Sequence, residues 1–183
     1  MLDMRRLNLR STAFHEAGHA IVAILKGIRF SKVWLLHRSD SDPVPQNVEL
    51  GQLTRITPIN KPDFAGKLDE AKTEAVQAFA GPLAECLAYS GMQPDLLLNK
   101  GDVSLAEGVL RFAILPCIVM NGVASFNPVD VSRTLPQIHQ MLKDCCGAAD
   151  LLVQANRVKI EKVAMELLAR WELTEDEVRV LCQ

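Results

Sequence analysis

The feature that most constrains this chain is a pair of histidines and a glutamate in an apolar helical stretch near the N-terminus. His15, Glu16 and His19 form an H-E-x-x-H pattern, and the other residues in 12–21 are uncharged. Residues four apart lie one turn apart on the same helical face, so both imidazoles reach one point. A buried helix must satisfy these groups, and a metal ion does so. The alternative, a surface helix with two solvated histidines, is disfavoured because the stretch lacks other charged residues.

The residue types in this pattern match a catalytic zinc site. Neutral imidazoles bind Zn²⁺ and leave it acidic enough to lower the pKa of a bound water to about 7. Glu16 points about a quarter-turn away from the histidines, which places its carboxylate beside that water and off the metal. The pattern therefore predicts His15 and His19 as zinc ligands and Glu16 as the general base.

A catalytic zinc site needs a third protein ligand, and spacing alone leaves its identity open. The residues after His19 do not continue as H-x-x-G-x-x-H. Asp102 stands at a predicted helix start, where an ordinary N-cap is the more common role. Glu85 lies in an apolar segment, so it is a ligand, an acceptor for a histidine N–H, or an ion-pair member. The candidates are His37, Glu70, Glu74, Glu85, Asp102, Glu107 and His139.

Composition places the chain among ordinary globular proteins. The 183 residues are 49% apolar and 23% charged, which predicts one domain with its own core. A net charge of −2 and 5% aromatic residues disfavour nucleic-acid binding. Five cysteines without a C-x-x-C pair indicate a reducing compartment. The apolar run 112–120 is too short to cross a membrane, so we expect a cytoplasmic protein without a transmembrane segment of its own.

Hydrophobic periodicity predicts a fold that is mainly α with a small β-hairpin. The first helix is expected to start with Ser11 or Thr12 as its N-cap and to end near Lys26, before Gly27. The strand-like runs are residues 30–37 and 48–56, which predict a hairpin with a long tip. A second helix is expected over 64–89, with a kink or break at Pro82, and a third from Asp102 to about Pro116. The chain from Ser132 to Arg170 is also expected to be helical, with a weak point at Gly147. A capping box at Thr174–Glu177 predicts a short last helix.

The hairpin and the segment after the third helix carry two further predictions. The edge of the hairpin is predicted either to bind substrate as an added strand or to be an ordinary protected edge. Glycine and proline between residues 121 and 128 indicate a turn, and the apolar run before it is expected to be core. One small β element is therefore predicted.

Five segments, in order along the chain, carry a pattern that extends beyond the metal motif. They are FHEAGHAIVA at 14–23, FSKVWLLHR at 30–38, AFAGPLAECLAYSG at 78–91, NKGDVSLAEGVL at 99–110 and NRVKIEKVAMELLARWELTEDEV at 156–178. The first two resemble the zinc helix and the following strand of the FtsH-type ATP-dependent zinc proteases. The others resemble that family's G-G-R-A-A-E-E-L helix, its A-S-N-D-L-x-x-A-T segment and its C-terminal helices.

The resemblance implies roles for particular residues. It implies that His15, His19 and Asp102 hold the Zn²⁺ ion and that Glu16 is the general base. It also implies that Glu85 lies near the site but not on the metal. Pro82 and Cys86 depart from the family pattern, since they stand where the family has arginine and a second glutamate.

The resemblance also implies a domain and an activity. The implied fold is a single zincin-like FtsH-type peptidase domain over 1–183, with 1–11 as an N-terminal extension and 172–183 as a short terminal helix. The implied activity is that of a zinc metalloendopeptidase cleaving unfolded or flexible polypeptides, either as a homo-oligomeric ring or with a separate ATPase partner, since no ATPase module or membrane anchor is seen. The alternative is a non-catalytic, zinc-stabilised adaptor of an ATP-dependent protease.

Overall fold

The computed structural model describes residues 4–36, 51–89, 100–120 and 123–183, and most of them are helical. The helices are α1 Met4–Lys26, α2 Leu68–Glu85, α3 Lys100–Ile114, α4 Pro128–Ala155, α5 Arg157–Arg170 and α6 Glu175–Leu181. The strands are β1 Phe30–Leu35, β2 Gly51–Arg55, β3 Cys117–Met120, β4 Val123–Phe126 and β5 Glu172–Thr174, with short 3₁₀ turns at Lys61–Phe64 and Cys86–Ala88. A mainly helical fold with a small antiparallel sheet is confirmed.

Helices α1 and α2 cross at the centre of the molecule, and a glycine allows them to approach closely. A Cβ added at Gly18 would lie 2.4 Å from the Cβ of Ala84 and 2.5 Å from the carbonyl oxygen of Ala80. Small side chains therefore let the two backbones meet, and most of the second half of α1 is buried. This crossing places the H-E-x-x-H face of α1 against α2.

The first helix starts earlier than predicted and ends as predicted. It begins at Met4, so Ser11 and Thr12 are interior helical residues and the predicted extension is helical from residue 4 onward. The prediction of a helix start at Ser11 or Thr12 is wrong because residues 4–10 contain neither glycine nor proline and continue the helix. The end is a Schellman motif at Gly27, whose φ of 71° suits glycine.

The predicted hairpin is confirmed as an antiparallel pair of β1 and β2, and a third strand joins it. The sheet order is β2-β1-β5, with Val33 opposite Leu53 on one side and Leu173 on the other. Strand β5 has three residues, too few for a period-2 pattern to be recognised. The hairpin tip and His37 lie outside the described residues.

A second antiparallel pair of strands lies after α3, and residues 121–122 between its strands are outside the described residues. Strands β3 and β4 pair in antiparallel fashion, with Cys117 opposite Phe126, so the prediction of one β element is wrong. The apolar run is thus helix up to Ile114 and strand from Cys117. Phe112 at the end of α3 contacts the ring of Phe126, with ring centroids 4.8 Å apart.

The later helices differ from prediction at the start of α2 and at the end of α4. Helix α2 begins at Leu68, later than the predicted residue 64, and passes through Pro82 before tightening into a 3₁₀ turn. Helix α4 passes through Gly147, so the predicted weak point is wrong, and the chain breaks at Asn156 instead. The backbone of Asn156 leaves the helical region at φ −114° and ψ 17°, and its side chain donates to the carbonyl of Leu152 at 2.9 Å. Asparagine favours such local bonds over helix continuation.

The chain ends in a capped helix, as the sequence predicts. The hydroxyl of Thr174 accepts a hydrogen bond from the Glu177 N–H, and the Glu177 carboxylate accepts one from the Thr174 N–H, which completes the capping box. Residues 172–174 belong to β5, so the terminal helix is shorter than predicted. Within the described ranges, no helix has both the length and the hydropathy needed to cross a membrane.

Candidate metal centre

Three side chains from two helices converge on one point. His15 and His19 come from α1, and Asp102 comes from the first turn of α3. The Nε2 atoms of the two histidines are 3.1 Å apart. The carboxylate oxygens of Asp102 lie 3.2 Å from Nε2 of His15 and 3.6 Å from Nε2 of His19. Ligands about 2.0–2.1 Å from a tetrahedral metal are about 3.3 Å apart, so this spacing fits a bound metal ion.

The other ring nitrogen of each histidine faces a hydrogen-bond acceptor. Nδ1 of His15 lies 3.3 Å from a carboxylate oxygen of Glu85, and Nδ1 of His19 lies 2.9 Å from the main-chain carbonyl of Gln77. These acceptors favour a proton on Nδ1 of each ring, so Nε2 is the nitrogen available to a metal ion at the shared point. The second oxygen of Glu85 accepts a hydrogen bond from the buried Ser11 hydroxyl.

These contacts create a demand for positive charge at the centre. With both rings neutral, two imidazole lone pairs and a carboxylate would face one another and would repel unless a proton or a metal ion lay between them. Burial lowers the pKa of His15, but its bonds to Asp102 and Glu85 outweigh burial and raise the pKa to about 10. Burial raises the pKa of Asp102, but the two histidines hold it well below its usual range. In the metal-free protein a proton on His15 supplies the positive charge, and a metal ion can replace that proton.

A glycine in α2 leaves the space in which the ligand atoms meet. A Cβ added at Gly81 would lie 2.4 Å from Nε2 of His19 and 2.8 Å from Nε2 of His15. Any larger residue would occupy the point at which the nitrogens converge. The donor types, their spacing and this space therefore all fit a bound metal.

The position of Asp102 removes one of its two predicted roles. It lies inside the first turn of α3, which begins at Lys100, so it is not an ordinary N-cap. Its carboxylate faces both histidines. Glu85 contacts the side of the His15 ring that faces away from the shared point, as an acceptor for the N–H.

The remaining candidates for a third ligand lie elsewhere. Three glutamates form ion pairs with neighbouring cations: Glu70 with Lys67, Glu74 with Arg55, and Glu107 with Arg111. His139 is exposed on α4, and His37 lies outside the described residues. Asp102 is therefore the candidate that the fold brings to the two histidines.

Glu16 lies on α1 next to His15 in sequence, and strand β2 covers the stem of its side chain. It is 6% exposed, and its carboxylate is not part of the ligand group. A Cβ added at Gly51 of β2 would lie 3.0 Å from Cγ of Glu16 and 2.9 Å from the main-chain oxygen of Trp34. Strand β2 thus rests directly on the stem of Glu16, and glycine permits this approach.

Several residues of the centre were not identified from sequence. Gln77 and Gly81 of α2 approach the histidines, Gly51 of β2 approaches Glu16, and Ser11 donates to Glu85. The one available indication was polar Gln77 within an apolar run of α2. Local patterns do not show which residues of a distant helix meet the motif.

Comparisons with known proteins add no evidence about function. No protein-family model matches the chain, and no curated protein matches its sequence.

Proposed function

We propose that the chain is a zinc-dependent metalloendopeptidase with His15, His19 and Asp102 as metal ligands. The observation that carries the proposal is the convergence of three potential ligand atoms within 4.8 Å of one another, with the Nδ1 atom of each histidine facing an acceptor. A zinc ion held there would polarise a scissile carbonyl and lower the pKa of a water molecule. Structural zinc sites have four protein ligands, whereas the described residues supply three here, which supports a catalytic role.

In this proposal Glu16 moves the proton. Its place next to His15 on α1 suits it to take a proton from the attacking water and pass it to the leaving amine. Strand β2 covers its stem at Gly51, which limits the movement of the carboxylate. Glu85 and the Gln77 carbonyl hold the two imidazole rings in the tautomer and orientation that metal binding needs.

The proposed substrate is an unfolded or flexible polypeptide in extended form. Strand β2 pairs with β1 on one side and, among the residues that the structure describes, lies at the edge of the three-stranded sheet. Extended peptides commonly bind by adding a strand to such an edge. Because Gly51 at one end of β2 contacts Glu16, a peptide along this edge would pass beside the proposed catalytic residue.

The proposed fold family is the zincin-like FtsH-type peptidase domain. The support is that a helix with H-E-x-x-H packs on a second helix, a third helix supplies an aspartate, and an antiparallel sheet lies beside the first helix. The resemblance of five ordered segments to that family adds to this support. It also extends the proposal to a ring assembly or a separate ATPase partner that delivers unfolded substrate.

The test is cleavage of a permanently unfolded protein, such as a reduced and carboxymethylated one, with zinc and without ATP. We expect the wild type to cleave it. Glu16→Gln should bind about one zinc per chain and lose more than about 100-fold in rate, because it keeps the ligands but not the base. His15→Ala should lose both metal and cleavage.

Two outcomes would contradict this proposal. Cleavage by Glu16→Gln at the wild-type rate would exclude Glu16 as the base. Binding of one zinc per chain without cleavage by any variant would contradict an autonomous peptidase and favour the non-catalytic adaptor or the ATPase-dependent assembly.

A further inference from the structure

A largely buried arginine on strand β2 connects the sheet to α2. Arg55, the last residue of β2, is 13% exposed, and its partner Glu74 is 14% exposed. Nη1 of Arg55 donates to Glu74 at 2.8 Å, and Nη2 lies 2.7 Å from the other carboxylate oxygen. Nη2 also donates to the side-chain oxygen of Gln77 at 2.7 Å. The guanidinium therefore holds two residues on one face of α2.

Gln77 carries this connection on to the metal centre. Its side chain accepts from Arg55, while its main-chain carbonyl faces Nδ1 of His19 at 2.9 Å. Gln77 is 4% exposed, so these contacts are shielded from water. A fixed position of Gln77 is needed for its carbonyl to direct the lone pair of His19 toward the shared point.

We propose that Arg55 is a positioning residue for the metal centre, acting on His19 through Gln77. The inference rests on the metal site of the proposed function and adds a residue that acts on a ligand through another residue. The planar fork of arginine suits this position because it reaches Glu74 and Gln77 together, whereas lysine offers a single charged group. Glu74 supplies the compensating charge that a buried guanidinium requires.

The connection also joins the proposed substrate edge to the metal ligands. The same strand contacts Glu16 through Gly51 at one end and Gln77 through Arg55 at the other. The alternative is that Arg55 and Glu74 only hold the sheet on α2. The two explanations differ in what Gln77 does, and this difference can be measured.

The experiment compares three changes around the guanidinium. Arg55→Met and Gln77→Leu break the path to His19, whereas Glu74→Gln removes the ion pair and keeps the path. Zn²⁺ affinity is measured by competition with a chromophoric chelator, and the ligand field by the visible spectrum of the Co²⁺-loaded protein. The double variant Arg55→Met/Glu74→Met removes both charges, so it provides a folded protein without the path even if Arg55→Met alone is unstable.

We expect the path-breaking variants, including the double variant, to bind Zn²⁺ about threefold to tenfold more weakly, less than the 10- to 100-fold typical of a ligand's direct partner. Their Co²⁺ spectra should shift. Glu74→Gln should stay within about twofold of the wild-type affinity and keep its spectrum. If Glu74→Gln weakened Zn²⁺ binding as much as the path-breaking variants, or if the double variant and Gln77→Leu kept the wild-type affinity, this inference would be overturned. The proposed function would still stand. A wild-type chain that binds no Zn²⁺ would overturn the proposed function, and this inference with it.

Discussion

Two carboxylates, the buried one of Glu175 and the partly buried one of Asp102, show how a structural ion cluster differs from a candidate metal site. Glu175 at the start of α6 accepts hydrogen bonds from Arg29 and Arg179 and, at 3.0 Å, from the main-chain N–H of Phe30. Asp102 faces two histidines whose outer nitrogens are already held by acceptors. The first cluster contains its own positive charge.

The second cluster needs a cation from outside, either a proton or a metal ion. This contrast distinguishes the candidate metal centre from the ion cluster of Glu175 better than a count of charged residues does. Burial raises the pKa of Glu175, but hydrogen bonds from Arg29, Phe30 and Arg179 lower it to about 2. The carboxylate is therefore ionised, and its partners balance its charge. A mutation at one cluster should therefore change metal binding, and a mutation at the other should change stability.

The largest expected effect is the loss of metal binding in Gly81→Ala. The added Cβ would lie 2.4 Å from Nε2 of His19, so the ligand nitrogens must move apart. We expect Zn²⁺ affinity to fall by more than about 100-fold, beyond the effect of losing a ligand's hydrogen-bond partner. Chelator competition measures the affinity, and circular dichroism checks the fold.

The matched control for this change is Gly147→Ala in α4. It is another helical glycine, and a Cβ there would meet nothing within 4 Å. We expect it to leave the affinity unchanged and to stabilise the protein by about 0.5–1 kcal/mol. Equal metal binding by the two variants would contradict the placement of Gly81 against the ligands.

Glu175→Gln should give the opposite result, a loss of stability without a loss of metal. We expect the free energy of unfolding to fall by about 2 kcal/mol at neutral pH, which is modest because both arginine partners reach solvent. Urea unfolding measures this loss, and Zn²⁺ affinity should stay within about twofold because the cluster shares no residue with the metal centre.

Acid should remove the difference between this variant and the wild type. The pKa of Glu175 is lowered from 4.5 to about 2, so its stabilisation is complete above pH 4.5 and is lost as the pH falls toward 2. The stability curves of the two proteins should therefore converge in this range. A constant difference between them down to pH 2 would show that the ionised carboxylate is not the source of the stability.

The smallest expected effect is that of Thr174→Ala in the capping box. The hydroxyl of Thr174 accepts from the Glu177 N–H at 3.3 Å, and its loss leaves that donor without its cap. We expect thermal unfolding to show a loss of about 1 kcal/mol, with metal binding unchanged. A larger change in metal affinity than in stability would show that the capping box of α6 and the metal centre are coupled.

The parts of the centre that depend on one helix could be predicted from sequence. His15 and His19 are four residues apart, and helical geometry alone places them on one face. Asp102 is on a different helix, and residue spacing left it among several candidates until the resemblance was considered. The contacts of Gln77 and Gly81 with the histidines depend on how α1 crosses α2, which no local pattern specifies.

The fold shows the same division between local and distant effects. The stop at Gly27 and the capping box at Thr174 follow from short-range hydrogen bonds, and both predictions are confirmed. The predicted break at Gly147 failed because an exposed glycine costs a helix only about 1 kcal/mol, whereas Asn156 ends the helix with its own side chain. Strand β5 forms only because β1 lies beside it.

The most direct test of the central claim is X-ray absorption at the zinc edge of the Zn²⁺-loaded protein. Ligation by His15, His19 and Asp102 predicts one zinc per chain with nitrogen and oxygen neighbours at about 2.0–2.1 Å, imidazole features, and no sulfur shell. Asp102→Asn should weaken binding. A sulfur shell at about 2.3 Å would place the metal on the cysteines instead, and either that result or the absence of bound zinc would contradict the account.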